Sequence, residues 1–167
     1  MRRAAALLAV AALGVAGCGG SDSGSGKPAS EPKATTTAAS VPLTDTSQAP
    51  ELPERTGPAP SKLVVKDIVK GKGKAATTGD QLSMQYSGWL YDNGQPFDSS
   101  WDRGQPFEFQ LGGQVIPGWN EGIKGMKAGG RRELIIPPDL AYGAQGSPPT
   151  IPPNAPLVFV VDLQQIG

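Results

Sequence analysis

Gln81-Leu82-Ser83-Met84-Gln85-Tyr86-Ser87-Gly88-Trp89-Leu90 sets Leu82, Met84, Tyr86 and Leu90 against Ser83, Gln85, Ser87 and Trp89. Successive side chains of an extended chain point to opposite sides, so this period of two predicts a strand with one buried face. Asp92-Asn93-Gly94-Gln95 follows, and Asn and Gly tolerate the positive φ of a tight turn. Working outward, 62–70 (KLVVKDIVK) is β-branched and reads as a strand, which Gly71-Lys72-Gly73-Lys74 interrupts. Short extended runs lie at 97–99 and 107–111, and two more strands at 131–136 and 157–163. Between 117 and 124, PGWNEGIK fits two helical turns, with proline at the first helical position and Trp119 and Ile123 four apart on one face. One short helix against several antiparallel strands predicts an α+β domain.

All ten aromatic residues fall between Tyr86 and Phe159, which assigns the core to 61–167, long enough for one single-core domain. In 19–60, by contrast, 30 of 42 positions are Gly, Ser, Pro, Ala or Thr and none is aromatic. So little apolar surface cannot offset the roughly 1–2 kcal/mol of backbone entropy per ordered residue. Residues 18–60 therefore read as a disordered, Pro-stiffened tether, the alternative being that Val41, Leu43 and Leu52 pack part of 41–60 onto the domain.

Met1-Arg2-Arg3 and the uncharged run 4–15 have the proportions of a signal peptide, and twelve residues are too few to span a bilayer. Val15-Ala16-Gly17-Cys18 resembles the bacterial lipobox, and the only cysteine of the chain stands at its acylated position. That resemblance implies a signal peptide over 1–17, a mature chain beginning at a diacylated Cys18, and an extracytoplasmic protein anchored to bacterial membrane lipid. A buried structural cysteine or an ordinary cleavage site is the plainer alternative.

Composition removes much of the usual chemistry. The chain has no histidine, so Ser-His-Asp and Cys-His nucleophiles, HExxH sites and His-containing zinc sites are excluded. One cysteine leaves no internal disulfide and no multi-thiolate metal site. Fifteen basic residues balance fifteen acidic ones, which gives no footprint of a nucleic-acid binder. Gly71-Lys72-Gly73 lacks the third glycine of a dinucleotide loop, and the Asp92 turn lacks the repeated acids of a calcium loop. Asp98 and Asp102 have the makings of a glycosidase pair, but Arg103 beside them favours an ordinary ion pair.

What remains is a set of aromatic residues interleaved with turns. Alone, Tyr86, Phe97, Phe107, Trp119, Tyr142 and Phe159 read as plain core. Their local strings say more. Gln85-Tyr86-Ser87-Gly88, Phe97-Asp98-Ser99-Ser100, Val115-Ile116-Pro117-Gly118-Trp119, Ala141-Tyr142-Gly143 and Ile151-Pro152-Pro153-Asn154 occur in the order that resembles the FKBP-type peptidyl-prolyl cis-trans isomerases. The resemblance runs from about 63 to 166.

It implies a curved five-stranded antiparallel sheet wrapped around one short helix, with a pocket between them, and isomerisation of X-Pro bonds without any cofactor or metal. By the same resemblance, Tyr86, Phe97, Asp98 and Tyr142 carry the catalytic roles. Trp119 forms the pocket floor, and Tyr86, Phe97, Phe107 and Phe159 form its walls. Val115 and Ile116 hold an extended ligand by their backbone, Tyr142 donates to a ligand carbonyl, and Ile151 lies on a flap over the opening. Arg103 and Tyr86 orient Asp98, although such a cluster also makes sense as a structural network.

The implied partners are proline-containing exported proteins and macrolides of the tacrolimus or rapamycin type, with no nucleic acid. Two departures stand out: 111–115 looks one residue shorter than in cytosolic members, and Ser147 replaces a histidine. The competing readings are a chaperone or assembly factor that binds proline segments without turnover, and a structural lipoprotein of the envelope.

Overall fold

The computed structural model describes residues 42–167; the expected signal segment, Cys18 and the tether as far as residue 41 lie outside the described residues. Six antiparallel strands and one α-helix are arranged in the order β1 (Val64–Val69), β2 (Gln81–Leu90), β3 (Pro96–Ser99), β4 (Phe107–Gln110), α1 (Pro117–Ile123), β5 (Gly130–Ile136) and β6 (Leu157–Ile166). The sheet runs β1-β5-β6-β2-β3, with β4 also on β2. The six extended runs read from the residues are all strands, and they reduce to the five sheet positions that the resemblance implied because the long β2 is shared along one edge. Its first half pairs with β4, from Gln81↔Gln110 to Met84↔Phe107, and its second half with β3, from Ser87↔Ser99 to Trp89↔Pro96. Two short strands thus fill one position in the sheet; the chain between them starts at the fully buried Ser100, which accepts from Tyr86 N–H and donates to Gln85, and continues through the exposed residues 102–106.

The helix crosses the concave face. Pro117 opens it without a side-chain cap. Gly118 and Gly122, four apart, turn toward β5, where an added Cβ would stand 2.4 Å from Ile136 and 2.7 Å from Leu134. Only a bare backbone lets the helix approach so closely. Beneath it, Leu82, Met84, Tyr86, Leu134, Ile136, Leu157, Phe159 and Val161 form the core with Trp119 and Ile123. The alternation read in β2, matched by the same period in β5 and β6, places these residues on one face of the sheet.

The opposite face departs from expectation. From Gln85 to Leu90 every residue of β2 is buried, not every second one. The cause is residues 42–60, which lie across the convex face and do not extend away as a tether. Leu52 and Ala59 pack against a second cluster of Trp89, Tyr91, Val158 and Val160. Pro50 and Pro53 are buried. Arg131, fully buried, donates to the carbonyls of Leu43 (3.0 Å) and Gln48 (2.8 Å) and pairs with Asp162 at 2.5 and 2.7 Å. Further along, Arg55 donates to the carbonyls of Leu90 and Tyr91 and covers the Tyr91 ring, while the Tyr91 hydroxyl donates to Gly57 O at 3.3 Å. The ordered unit therefore begins by residue 42, not 61. Composition missed this because the strap contributes few apolar atoms of its own and is held by side chains of the sheet. No helix among the described residues is long and apolar enough to cross a membrane.

Candidate active site

Five separated segments deliver aromatic side chains to one hollow. Tyr86 comes from β2, Phe97 from β3, Phe107 from β4, Trp119 from the first turn of α1, and Phe159 from β6. Trp119, 5% exposed, is the hub: its ring stands edge-on to Tyr86 (5.1 Å), Phe159 (5.3 Å) and Phe107 (5.9 Å). Phe97 stands edge-on to Phe159 at 5.4 Å. Edge-to-face pairs at these separations are favourable ring geometries, so the walls support one another.

Together with Asp98, Gln114, Val115, Ile116 and Tyr142 these rings enclose a cavity of about 340 Å³, within the range of small-ligand sites. Nine of the ten pocket residues expected from the sequence line it. Ile151 does not: it is 5% exposed and belongs to the core. Ser147 and Ile151 exchange backbone hydrogen bonds (2.8 and 2.9 Å) and close a tight loop. In that loop Gly146 has φ 64°, and a side chain there would strike the Ile151 carbonyl. The loop turns Ile151 inward rather than over the opening.

The polar edge of the cavity is a triad. The Tyr86 hydroxyl donates to Asp98 Oδ2, Arg103 Nη1 donates to Asp98 Oδ1, and Arg103 Nη2 donates to the Tyr86 oxygen at 2.7 Å. The guanidinium also sits 5.4 Å from the centre of the Tyr86 ring. Burial, and next the bond to Asp98, push the Tyr86 hydroxyl up to about 12, so it keeps its proton and remains a donor at neutral pH. Tyr142 stands at the rim, 40% exposed, its hydroxyl raised by burial and then by the Asp98 charge. Asp102 is exposed and outside the cavity, so no carboxylate pair faces a substrate there. Among the described residues no three Cys, Asp or Glu side chains converge as a metal site.

Three contributors were not anticipated. Gln114 lines the mouth directly before Val115 and Ile116. Phe109 stacks on Phe107 at 5.5 Å and touches Trp119 from behind; its i, i+2 spacing from Phe107 on β4 was a usable signal. Gly88 leaves room for the walls, since a Cβ there would stand 2.7 Å from the Phe97 ring and 2.9 Å from that of Phe159.

A curved antiparallel sheet holding a ring-lined cavity against one short helix is the arrangement of a proline-isomerase domain. The sequence pattern of the FKBP-type peptidyl-prolyl cis-trans isomerase family matches residues 72–164. An FK506-binding protein of Streptomyces anulatus is 50% identical over 116 residues, 68% of this chain and 94% of the relative. A probable FK506-binding protein of Corynebacterium glutamicum is 48% identical over 114 residues, covering 68% and 95%. Among solved structures, the crystal structure of AtFKBP13 superposes with a TM-score of 0.60 at 40% identity, covering 65% of this chain and 96% of that one. The chain belongs to the FKBP-type peptidyl-prolyl cis-trans isomerases, and its enzymatic activity is the isomerisation of peptidyl-prolyl bonds.

Proposed function

We propose that the aromatic cavity accelerates X-Pro rotation in exported proteins by hosting the twisted amide better than either planar form. Resonance in the C–N bond sets a barrier of about 18–20 kcal/mol. At the perpendicular geometry that resonance is lost, the carbonyl becomes ketone-like, and the group is less polar than in its cis or trans ground state. A water-poor, ring-lined hollow favours the less polar species, and every ~1.4 kcal/mol of such preference gives about tenfold in rate. No nucleophile or general base enters the scheme.

The observation that carries this reading is the convergence of Tyr86, Phe97, Phe107, Trp119 and Phe159 on one hollow whose only carboxylate is Asp98. The pyrrolidine ring rests on Trp119 between Phe107 and Phe159, and the Tyr142 hydroxyl donates to a substrate carbonyl. Asp98, held by Tyr86 and Arg103, meets the rotating carbonyl from the side. The buried Trp119 Nε1 has no hydrogen-bond partner among the described residues. An unmet buried donor costs about 1–3 kcal/mol, which suits a floor selected for its ring rather than for stability. The names of the relatives support binding of FK506-type macrolides in the same hollow.

The test is trans-selective proteolysis of an Ala-Xaa-Pro-Phe peptide. The slow phase is expected to accelerate in proportion to added protein and to return to its spontaneous rate with tacrolimus. Tyr142→Phe should lower the acceleration about threefold to tenfold, the worth of one hydrogen bond, without altering the fold. An unchanged slow phase at micromolar protein, together with no tacrolimus binding, would overturn the mechanism.

The lipobox-like 15–18 and the signal-like 1–17 support an extracytoplasmic, lipid-anchored enzyme. X-Pro isomerisation takes tens to hundreds of seconds unaided, slow enough to limit the folding of exported chains. In a bacterial host, mass spectrometry should find the mature chain beginning at an acylated Cys18, and Cys18→Ser should release the protein from the membrane fraction. A mature N-terminus elsewhere, or Cys18→Ser protein that stays with the membrane, would refute the anchor.

A further inference from the structure

Basic residues are distributed very unevenly over this electrically neutral chain. Between 75 and 123 the only one is Arg103, and after Arg132 there is none, so every lysine of the domain lies in 62–74 or 124–127. The fold brings these two stretches together. Ala75 bridges Lys127, the Gly73 N–H donates to the Ala128 carbonyl (3.1 Å), and the Ala128 N–H donates to the Lys74 carbonyl (3.1 Å). Lys70 and Lys127 line one shallow cleft. Lys70, Lys72, Lys74, Lys124 and Lys127 are all exposed, and among the described residues Lys74 alone of the five has an ion-pair partner, Asp80 at 3.0 Å. The nearby acids are already engaged: Asp67 by Arg132, Asp80 by Lys74 and Thr77, and Asp45 by Ser47 and Gln48.

This pole faces away from the cavity. Ile116 and Trp119 line the cavity at the start of α1, whereas Lys124 directly follows its end. Around the cavity and its neighbouring loops the exposed charges are mostly acidic, Asp92, Asp98, Asp102, Glu108, Glu121 and Asp139, against Arg103 and, in the cleft beside Glu121 and Asp139, Lys62.

A second, independent observation gives the pole a direction. The strap enters the domain at this same end. Arg131, which holds the Leu43 and Gln48 carbonyls, is the register partner of Val69, the residue before Lys70. The covalent path from Cys18 therefore reaches the folded unit beside the lysines. It is 24 residues long from Cys18 to Pro42, a span of at most about 80 Å, so the domain stays within reach of whatever surface holds Cys18.

We propose that the Lys70, Lys72, Lys74, Lys124 and Lys127 pole is a docking surface for anionic phospholipid headgroups, which seats the domain on the bilayer with its cavity directed outward. Its biological use rests on the anchor reading, but the contact itself does not require the acyl chains. Anionic surfaces attract basic residues by roughly fivefold in partitioning for each one brought into the surface layer, and the attraction is lost beyond a Debye length.

The experiment uses the chain from Gly19 to Gly167, which keeps every described residue and lacks the lipid attachment point. It is sedimented with vesicles of phosphatidylcholine alone, or with roughly 30% phosphatidylglycerol, within the range of anionic membranes. Binding is expected only to the anionic vesicles and should vanish in high salt. Replacing all five lysines by glutamine should weaken it by on the order of a hundredfold or more while isomerase activity on a small peptide is retained. Lys62→Gln with Lys66→Gln, outside the pole, should leave binding near its original strength. Equal binding to neutral vesicles, no binding to anionic ones, or an unaffected five-lysine variant would overturn the proposal. Because Cys18 is absent throughout, failure here is distinguishable from failure of the anchor, which is read from the mass of the mature chain.

Discussion

Trp119→Ala is expected to cost about 3–5 kcal/mol of stability, the usual range for truncating a buried Trp, and to reduce isomerisation at least a hundredfold even where the protein remains folded. Both losses have one cause. The indole contacts Tyr86, Phe107, Phe109 and Phe159, so its removal opens the core and takes away the floor on which the other rings lean. Trp119→Phe keeps a ring at the site and should recover most of the stability with intermediate activity, which separates loss of the pocket from loss of the fold. Tyr142→Phe provides the contrast. Its ring lies at the rim and its hydroxyl supports no core contact, so the melting temperature should hardly move while the rate falls modestly. Thermal denaturation beside the peptide assay decides the matter: equal destabilisation by the two changes would contradict the roles given to floor and rim.

The second large effect lies on the other side of the sheet. Arg131→Met should lower stability by about 3–5 kcal/mol, because it leaves Asp162 as an unpaired charge in a buried site. It also orphans the Leu43 and Gln48 carbonyls that Arg131 now satisfies. For a domain of this size that is a fall of roughly 10–20 °C in melting temperature. The pH dependence has a definite sign. Burial already raises the Asp162 carboxyl above its usual range, with the hydrogen bond and charge of Arg131 opposing the rise; without Arg131 it rises further. A carboxyl that binds its proton more tightly in the folded state contributes stability as pH falls through its folded value, so the deficit of the variant should shrink as pH falls from neutral toward the ordinary carboxylate range. Adding Asp162→Leu should restore most of the loss at pH 7, since an apolar pair can replace a buried ion pair at little cost. What is not restored measures the strap. Wild-type stability in Arg131→Met at pH 7 would show that neither the pair nor the strap holds the fold.

The two sides of the sheet differ in how visible they were before folding. Leu82, Met84, Tyr86 and Leu90 announced the inner face by simple alternation, and the β2 strand they define occurs where that pattern begins and ends. Pro117, Trp119 and Ile123 marked the helix in the same local way. The cavity residues were legible through ordered local strings, with two kinds of error. Gln114 and Phe109 were missed, and Ile151 was placed on an opening flap although the loop closed by Ser147 turns it inward. Phe109 was readable from its i, i+2 spacing from Phe107 on β4, whereas Gln114 and Ile151 depend on which way a loop side chain points, which the hydrogen bonds that shape each loop decide.

The strand and helix periods, the lack of imidazole and thiol groups in the folded domain, and the ring inventory of the pocket were all legible before folding, because they follow from residue type and near-neighbour spacing. Folding was needed to show that residues 42–60 belong to the folded unit, that one long strand serves two short partners, and that five of the seven lysines of the domain gather beyond the end of α1, away from the cavity at its start. A segment with few apolar atoms is ordered when buried donors such as Arg131 and ring faces such as Tyr91 lie within reach of its carbonyls and side chains. That condition exists only after β5 and β6 have paired.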